Sequence, residues 1–215
     1  MLVRERMSQP VITVKPDLPI MEALNLMKKE NIRRTPVIDS GKLVGIISDK
    51  DLLNASPSDA TSLSVWEINY LLSQIKVKQV MSKKVITVEE NTPIEEVARI
   101  MADSKIGGVP VLRDRQLVGL ITETDLFKIF LELMGAREMG VRVAALVPEK
   151  RGELAAITQA VAAAGGSFIS FTQFSGENQS NRQVTFKVSG LDEATVIEIV
   201  LPFVERILDV RLCCN

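Results

Sequence analysis

The hydrophobic residues of this chain follow one pattern twice. Apolar side chains recur every three or four positions in residues 20–27 and again in residues 94–101, which predicts a helix with one buried face in each segment. Pro19 and Pro93 stand at the start of these helices, and proline is well tolerated in a first helical turn. Both helices are therefore expected to contribute to a hydrophobic core.

Short β-rich runs surround each of these helices. One run precedes the helix, and two runs joined by a turn follow it before a second helix begins near Lys50 or Thr124. The predicted strands are residues 11–14, 35–39 and 43–48 in the first copy and residues 85–88, 109–113 and 117–122 in the second. Each copy is a β-α-β-β-α unit too small to be stable alone, so the two copies are expected to pack sheet against sheet.

The double pattern is an internal repeat. A shift of 74 positions, the separation of Met7 and Met81, aligns MSQPVITV with MSKKVITV without a gap. The same register carries KLVGIISDKDL, residues 42–52, onto QLVGLITETDL, residues 116–126. Two tandem domains of one kind are therefore predicted, because a repeat of this length reflects repeated structure.

The pattern changes after residue 139. Predicted strands and helices then alternate in the order βαββαβ, which is the ferredoxin-like arrangement. The strands are residues 141–147, 167–174, 183–188 and 210–212, and the helices are residues 153–164 and 192–203. The predicted fold class is α+β, with the paired repeats followed by this smaller domain.

Residues 61–79 are expected to form a linker helix between the copies. Ser64 and Glu67 have the spacing of a capping box at its start. Trp66 and Tyr70 share one helix face, where they either cover a neighbouring sheet or stack on a ligand.

Composition excludes several functions. With 26 basic and 27 acidic residues the net charge is −1, so no field attracts nucleic acid or an anionic membrane, and neither partner is expected. The absence of histidine removes the commonest general acid or base and the commonest metal ligand. The sequence also lacks the GxxxxGK[ST] and GxGxxG nucleotide motifs of many enzymes. A non-enzyme without a metal site is expected, although an enzyme using carboxylates or lysine stays open.

The chain ends suggest a cytoplasmic protein. Residues 1–10 contain no apolar run of signal-peptide length. Cys213 and Cys214 are the only cysteines and are adjacent, a spacing that suits neither a relaxed disulfide nor a zinc site. They are expected to be small apolar residues at the end of a strand in a reducing compartment.

The candidate chemistry lies where a strand meets a helix in each copy. Ser48 and Asp51, like Thr122 and Asp125, place a hydroxyl and a carboxylate three positions apart. The hydroxyl could donate to phosphate, and the carboxylate could accept from ribose hydroxyls. The same spacing also describes an ordinary helix N-cap, so both interpretations stay open.

The repeated motifs resemble CBS domains, and two such copies resemble a Bateman module. The resemblance covers residues 7 to about 132 and implies two clefts that bind AMP, ADP, ATP, with Mg²⁺ in the case of a triphosphate, or another adenosyl ligand. It implies that Ser48 and Thr122 contact phosphate and that Asp51 and Asp125 contact ribose. The residues implied to lie near adenine are Thr13, Thr35, Pro36, Thr87, Val109 and Pro110.

The two copies differ beside the predicted adenine contacts. Arg33 and Arg34 in the first copy align with Gly107 and Gly108 in the second. Guanidinium groups can pair with phosphate, whereas glycines allow close approach of a base. All four are candidate nucleotide-binding residues, the clefts are expected to differ in affinity, and a solvated charged turn is the other interpretation of the arginines.

The last 76 residues resemble ACT domains, chiefly through VPEKRGELAAI at residues 147–157. The resemblance implies a small effector such as an amino acid, bound near Glu149, Arg151, Gly152 and Glu153. Arg151 stands where that family often has proline, and a purely dimerising domain is the alternative.

The whole order resembles the bacterial acetoin-utilisation (AcuB-type) proteins, which implies a regulator of carbon metabolism with an unidentified target protein. The expected domains are residues 1–60 and 80–135 for the CBS copies, residues 61–79 for the linker and residues 140–215 for the ACT-like domain. A homodimer is expected from the habit of both families. A dimerisation scaffold with degenerate clefts is the alternative function.

Overall fold

The computed structural model describes residues 1–55 and 73–213. The chain divides into two compact units, Met1–Leu126 and Phe127–Asn215. The predicted capping box at Ser64, the side chains of Trp66 and Tyr70, and Cys214 lie outside the described residues. Within the described part, no helix is both long and apolar enough to cross a membrane.

The first unit contains both repeats, except that the last helix of the second repeat continues beyond Leu126. In the first repeat the elements are α1 (Ile20–Lys29), β1 (Arg34–Asp39), β2 (Lys42–Ser48) and α2 (Asp49–Asn54). The second repeat follows α3 (Val77–Val80) and contains β3 (Val88–Glu89), α4 (Ile94–Ser104), β4 (Gly108–Arg113), β5 (Gln116–Thr122) and α5 (Glu123–Leu133). Antiparallel pairing of β1 with β2 and of β4 with β5 has the same register in both copies, including one bulge. The predicted strand pairs and helix starts are confirmed to within one or two residues.

The first strand of each repeat is shorter than predicted. In residues 11–14 only Val14 pairs, with Val37, and in the second repeat the strand is the two-residue β3. The residues just before them turn away instead: Ser8 pairs with Leu120, and Ser82 pairs with Ile46. The backbone N–H and C=O groups of Ser8 and Ser82 are thus satisfied by the opposite repeat.

The two repeats exchange the segments that precede them. Val3 and Met7 belong to the core of the second repeat, whereas Val77, which lies 74 positions after Val3, belongs to the core of the first. Val3 and Val77 are both fully buried. Each repeat therefore completes its hydrophobic core with a segment from the start of the other.

Glycine in β2 and in β5 leaves room for this exchange. A Cβ atom added to Gly45 would lie 2.4 Å from Met81 Sδ, and one added to Gly119 would lie 2.1 Å from Met7 Sδ. Carbon and sulfur atoms do not approach this closely, so each glycine makes space for a methionine from the other repeat.

The second unit has the predicted order βαββαβ. Its elements are β6 (Gly140–Pro148), α6 (Glu153–Ala163), β7 (Ser167–Ser175), β8 (Asn181–Ser189), α7 (Glu193–Val200) and β9 (Arg206–Cys213). The antiparallel sheet has the order β7-β8-β6-β9. Alternate residues of β6 and β8 pack with α6 and α7 to form the core of this unit.

Two boundaries in this unit differ from those predicted. The last helix ends at Val200 and continues as the 3₁₀ turn Leu201–Phe203, because Pro202 lacks the N–H that an α-helix would use. The last strand begins at Arg206 instead of residue 210. The charged residues of this strand interrupt the alternation of apolar and polar positions that predicts a strand. They are tolerated because the strand lies at the edge of the sheet. There Asp209 accepts hydrogen bonds from Arg142 at 2.8 Å and from Arg211.

A buried lysine holds the segment that follows α5 within the second unit. Lys187 is 4% exposed, and its Nζ donates to Gly135 O at 2.9 Å and to Glu138 O. Ser170 Oγ donates to Met134 O at 3.2 Å. The charge of Lys187 is tolerated because backbone carbonyls accept its hydrogen bonds.

Candidate functional site

The predicted hydroxyl and carboxylate pairs form the same structure in both repeats. Asp51 Oδ2 accepts from Ser48 N at 2.9 Å and from Ser48 Oγ at 2.7 Å, while Ser48 Oγ accepts from Asp51 N at 3.2 Å. Asp125 Oδ2 accepts from Thr122 N at 2.9 Å and from Thr122 Oγ1 at 2.7 Å. The first pair is a complete capping box, so the structural role of these residues is present in the protein.

This arrangement leaves one carboxylate oxygen available on each aspartate. Among residues 1–55 and 73–213, neither Asp51 Oδ1 nor Asp125 Oδ1 accepts a hydrogen bond. Both side chains are partly exposed. A ligand hydroxyl could therefore donate to the free oxygen while Oδ2 keeps the helix cap.

Ser48 and Asp51 open onto a cleft of about 240 Å³ that is built from both repeats. The first repeat also contributes Arg34 and the end of β2, and the second repeat forms the opposite wall. The residues of that wall are Ser82, Lys84, Val85, Ile86, Lys105, Ile106, Gly107 and Gly108. We call this the first cleft.

The exchange of segments explains the mixed lining. Ile46 and Ser82 pair through two backbone hydrogen bonds of 3.0 and 2.9 Å, which brings residues 82–86 beside the end of β2. The hydroxyl and carboxylate of one repeat thus face apolar side chains of the other. Val85 and Ile86 could pack on a planar base while Asp51 contacts a sugar.

Arg34 crosses from the first repeat to the second. Its Nη1 donates to Gly107 O. A Cβ atom on Gly107 would lie 2.7 Å from Arg34 Nη2, and one on Gly108 would lie 3.1 Å from Nη1. The arginine and the glycines that distinguish the copies are therefore in contact, and the glycines make the space that the guanidinium occupies.

The equivalent positions around Thr122 and Asp125 differ in charge. Ser8 pairs with Leu120 as Ser82 pairs with Ile46, so residues 8–12 lie beside the end of β5. In the repeat register, Lys84, Lys105 and Arg34 of the first cleft correspond to Pro10, Asn31 and Gly108. Arg33 is exposed, and its Nη2 donates to Thr124 Oγ1 at 2.9 Å. We call the surroundings of Thr122 and Asp125 the second cleft.

The residues implied to lie near adenine occupy different surroundings. Thr35 is fully buried and donates from Oγ1 to Ile12 O, so its side chain joins the first two extended segments of its repeat. Pro36, Val109 and Pro110 are buried in β1 and β4, Thr87 is half-buried and Thr13 is exposed. None of these six lines the first cleft, whereas Arg34, Ser48, Asp51, Gly107 and Gly108 all do.

Two basic residues of the first cleft were not predicted from the sequence. Lys84 and Lys105 line it but were not among the predicted residues. The signal that could have found them is their divergence from Pro10 and Asn31, the residues at the same repeat positions.

The predicted effector loop of the second unit is exposed. Gly152 has a φ of 88°, which favours glycine, and it precedes α6. The carboxylate of Glu149 pairs with Arg182, Arg151 is exposed and Glu153 lies in the first helical turn. A separate apolar cleft in this unit is lined by residues at the start of α7 and on β6 and β9, among them Val141, Leu191 and Leu212.

The two repeats are similar to a known domain family. The CBS domain family matches residues 3–58 and 77–132. The L-aspartate semialdehyde sulfurtransferase of Methanocaldococcus jannaschii is 36% identical over 133 residues, which are 60% of this chain and 23% of that enzyme. This chain therefore spans about a quarter of the length of that relative.

Two solved structures are each similar to more than half of this chain. The CBS domain pair of protein MJ0100, crystallised with 5′-methylthioadenosine and S-adenosyl-L-methionine, is 34% identical, with a TM-score of 0.51 over 60% of this chain and 95% of that one. A Vibrio cholerae protein described as an acetoin utilization protein (AcuB) is 30% identical, with a TM-score of 0.53 over 63% of this chain and 93% of that one.

Proposed function

This chain belongs to the CBS-domain family, and from that premise we propose that it is a non-catalytic regulatory protein that senses an adenine nucleotide or another adenosyl ligand. The observation that carries the proposal is the first cleft. It combines the free oxygen of Asp51 with the Ser48 hydroxyl and with apolar and basic side chains from the other repeat. The MJ0100 domain pair, crystallised with two adenosyl compounds, supports the same ligand class.

The proposed roles follow from the chemistry of each group. Asp51 accepts from a ribose hydroxyl, Ser48 donates to the ligand, and Val85 and Ile86 pack on the base. Thr122 and Asp125 act in the same way in the second cleft. Ligand binding is proposed to change packing within the pair or the dimer, by no more than the ligand's difference in affinity for the two states.

Calorimetric titration of the purified chain tests this function. We expect saturable binding of at least one compound among AMP, ADP, ATP, S-adenosylmethionine and methylthioadenosine. An Asp51→Asn, Asp125→Asn double variant should bind at least about tenfold more weakly, since hydrogen bonds to charged groups contribute about 1.5–3 kcal/mol each. Asparagine retains an acceptor for the helix cap, so folding should be preserved.

Asp103→Asn is the matched control, because Asp103 is exposed on α4 and pairs only with Arg99 there. Its affinity should equal that of the unmodified chain. Absence of binding by the unmodified chain would contradict the proposal and leave a dimerisation scaffold, with any effector bound only in the C-terminal unit. Turnover of ATP that the aspartate variants abolish would indicate an enzyme instead.

We further propose that the C-terminal unit is an ACT-like domain, which its βαββαβ order supports. We also propose that the chain is a regulator of carbon metabolism, which the similarity to the AcuB structure supports. Finally, we propose that the chain is a homodimer. Phe127, Phe130 and Leu133 are each more than half exposed on α5, and exposed apolar patches commonly mark association surfaces.

Light scattering during size-exclusion chromatography should give twice the chain mass of 23.7 kDa. A Phe127→Glu, Phe130→Glu variant should be largely monomeric at micromolar concentration, because it places charge on the proposed surface. Lys128→Glu, an exposed neighbour on α5, is the control and should remain dimeric. A monomeric unmodified chain would contradict the proposal.

A further inference from the structure

The first cleft is markedly basic. Arg34, Lys84 and Lys105 line it together with one carboxylate, that of Asp51. Glu123 is also close, since its Oε2 lies 2.8 Å from the position of a Gly107 Cβ, a point that is also 2.7 Å from Arg34 Nη2. Three cations thus face two carboxylates, and Asp51 is already engaged in the helix cap.

Arg34 extends from the first repeat to the second and adds a guanidinium group to the first cleft. Because Arg34 lies against Gly107, its charge is located in the first cleft although the residue begins β1. Gly108, the residue of the second repeat that aligns with Arg34, contributes no side chain. Pro10 and Asn31 stand at the repeat positions of the two lysines, whereas Arg33 donates to Thr124, close to Thr122 and Asp125 in the chain.

We propose that the first cleft selects adenosine ligands that carry phosphate, and that Arg34 determines this specificity together with Lys84 and Lys105. This inference rests on the proposed function and names the ligand class of one of its sites. Guanidinium and ammonium groups bind phosphate through charge-assisted hydrogen bonds. They repel the sulfonium cation of S-adenosylmethionine and gain nothing from neutral methylthioadenosine.

The second cleft is the contrasting site. Because uncharged Pro10 and Asn31 stand at the repeat positions of Lys84 and Lys105, we expect a weaker preference for phosphate there. We therefore expect ATP or ADP to bind at one site per chain, through the first cleft. The sequence differences at Arg34, Lys84 and Lys105 are then what make the two sites unequal.

Calorimetric titration with ATP and with adenosine tests the inference. The unmodified chain should bind ATP at least about tenfold more tightly than adenosine, and its affinity for ATP should fall as salt increases, because the interaction is between charges. Arg34→Gln should weaken ATP binding about tenfold and adenosine binding less than twofold. Arg99→Gln is the matched control, because Arg99 is an exposed arginine of α4 that does not line the first cleft, and it should leave both affinities unchanged.

Two further variants guard against loss of folding. The Lys84→Gln, Lys105→Gln variant changes exposed side chains and should also weaken ATP binding selectively. Gly107→Ala should also weaken ATP binding, since its Cβ would displace the Arg34 guanidinium, together with the Glu123 carboxylate. Circular dichroism should confirm that each variant is folded.

The outcomes separate this inference from the proposed function. Equal losses for ATP and adenosine in Arg34→Gln would mean that the arginine only supports the structure, which overturns the inference. Binding of S-adenosylmethionine or methylthioadenosine without ATP would also overturn it while the proposed function stands. Failure to bind any adenosyl compound would overturn both.

Discussion

Replacing Val3 by aspartate is expected to unfold the pair of repeats, although Val3 stands almost at the start of the chain. Val3 is fully buried in the core of the second repeat, beside Val97 and Val109. A carboxylate at this position would have no charged partner within that core. An uncompensated buried charge costs about 3–5 kcal/mol, a large part of the stability of a small domain.

Chemical unfolding followed by circular dichroism measures this effect. Val3→Asp should lower the free energy of unfolding of the first unit by about 3–5 kcal/mol or prevent folding. Val77→Asp, at the same repeat position, should have a similar effect through the first repeat. Arg4→Ala is the matched control, because Arg4 is exposed and loses an exposed hydrogen bond to Asn91, and it should cost less than about 1 kcal/mol.

Removing residues 1–7 tests the exchange of segments. If Val3 packed against its own repeat, truncating residues 1–7 would damage the first repeat and leave the second intact. The structure predicts the reverse, with the greatest gain in hydrogen exchange at β4 and β5. Loss of protection confined to β1 and β2 would contradict the exchanged arrangement.

The symmetry of the repeat explains why the exchange could not be predicted from the sequence. The alignment of Met7 with Met81 and of Gly45 with Gly119 indicates which positions are equivalent. It does not distinguish a methionine that packs on its own repeat from one that packs on the other, because both arrangements satisfy the same pattern. The contacts of Gly45 with Met81 and of Gly119 with Met7, like the pairing of Ser8 with Leu120, decide between them.

The candidate site was predictable only in part from the sequence. Ser48 and Asp51 were found because the two copies share them, and the structure brings them together with Arg34, Gly107 and Gly108. Lys84 and Lys105 were missed because they belong to the other repeat, and only the packing of the two repeats, such as the pairing of Ser82 with Ile46, brings them to this site. The first cleft therefore combines chemistry that the copies share with charge in which they differ.

Predictions for the second unit depended on how regular its hydrophobic pattern is. The alternating apolar residues of β6 and β8 gave strands close to the observed ones. In β9 the charges of Arg206, Asp209 and Arg211 interrupt the apolar run, and only its end was predicted. Pairing with β6 extends this strand, which is a tertiary effect that a local pattern does not contain.

Replacing Phe186 by alanine is expected to have the largest effect on the stability of the C-terminal unit. Phe186 is fully buried on β8, and its ring centroid lies 5.5 Å from that of Phe168 and 5.7 Å from that of Phe171, with which it is stacked. The variant loses burial and leaves a cavity among these rings. Such changes cost about 3–5 kcal/mol.

Guanidinium unfolding with hydrogen exchange read by mass spectrometry assigns the loss to a part of the chain. Peptides from β6 and β8 should lose protection in Phe186→Ala, and Phe186→Leu should lose less because it keeps most of the volume. Phe174→Ala is the matched control: Phe174 is 50% exposed on β7, and its removal should cost less than about 1 kcal/mol. Equal losses in Phe174→Ala and Phe186→Ala would contradict the assigned core.

The same variant measures whether the two units are energetically coupled. Each unit has its own hydrophobic core, so Phe186→Ala should leave the unfolding of residues 1–126 almost unchanged if the units are independent. A parallel loss in the first unit would reveal coupling, and its size would bound the free energy that a ligand in the first cleft could transmit to the C-terminal unit. The sensing proposal requires that this coupling, or a change in dimer packing, be larger when the ligand is bound.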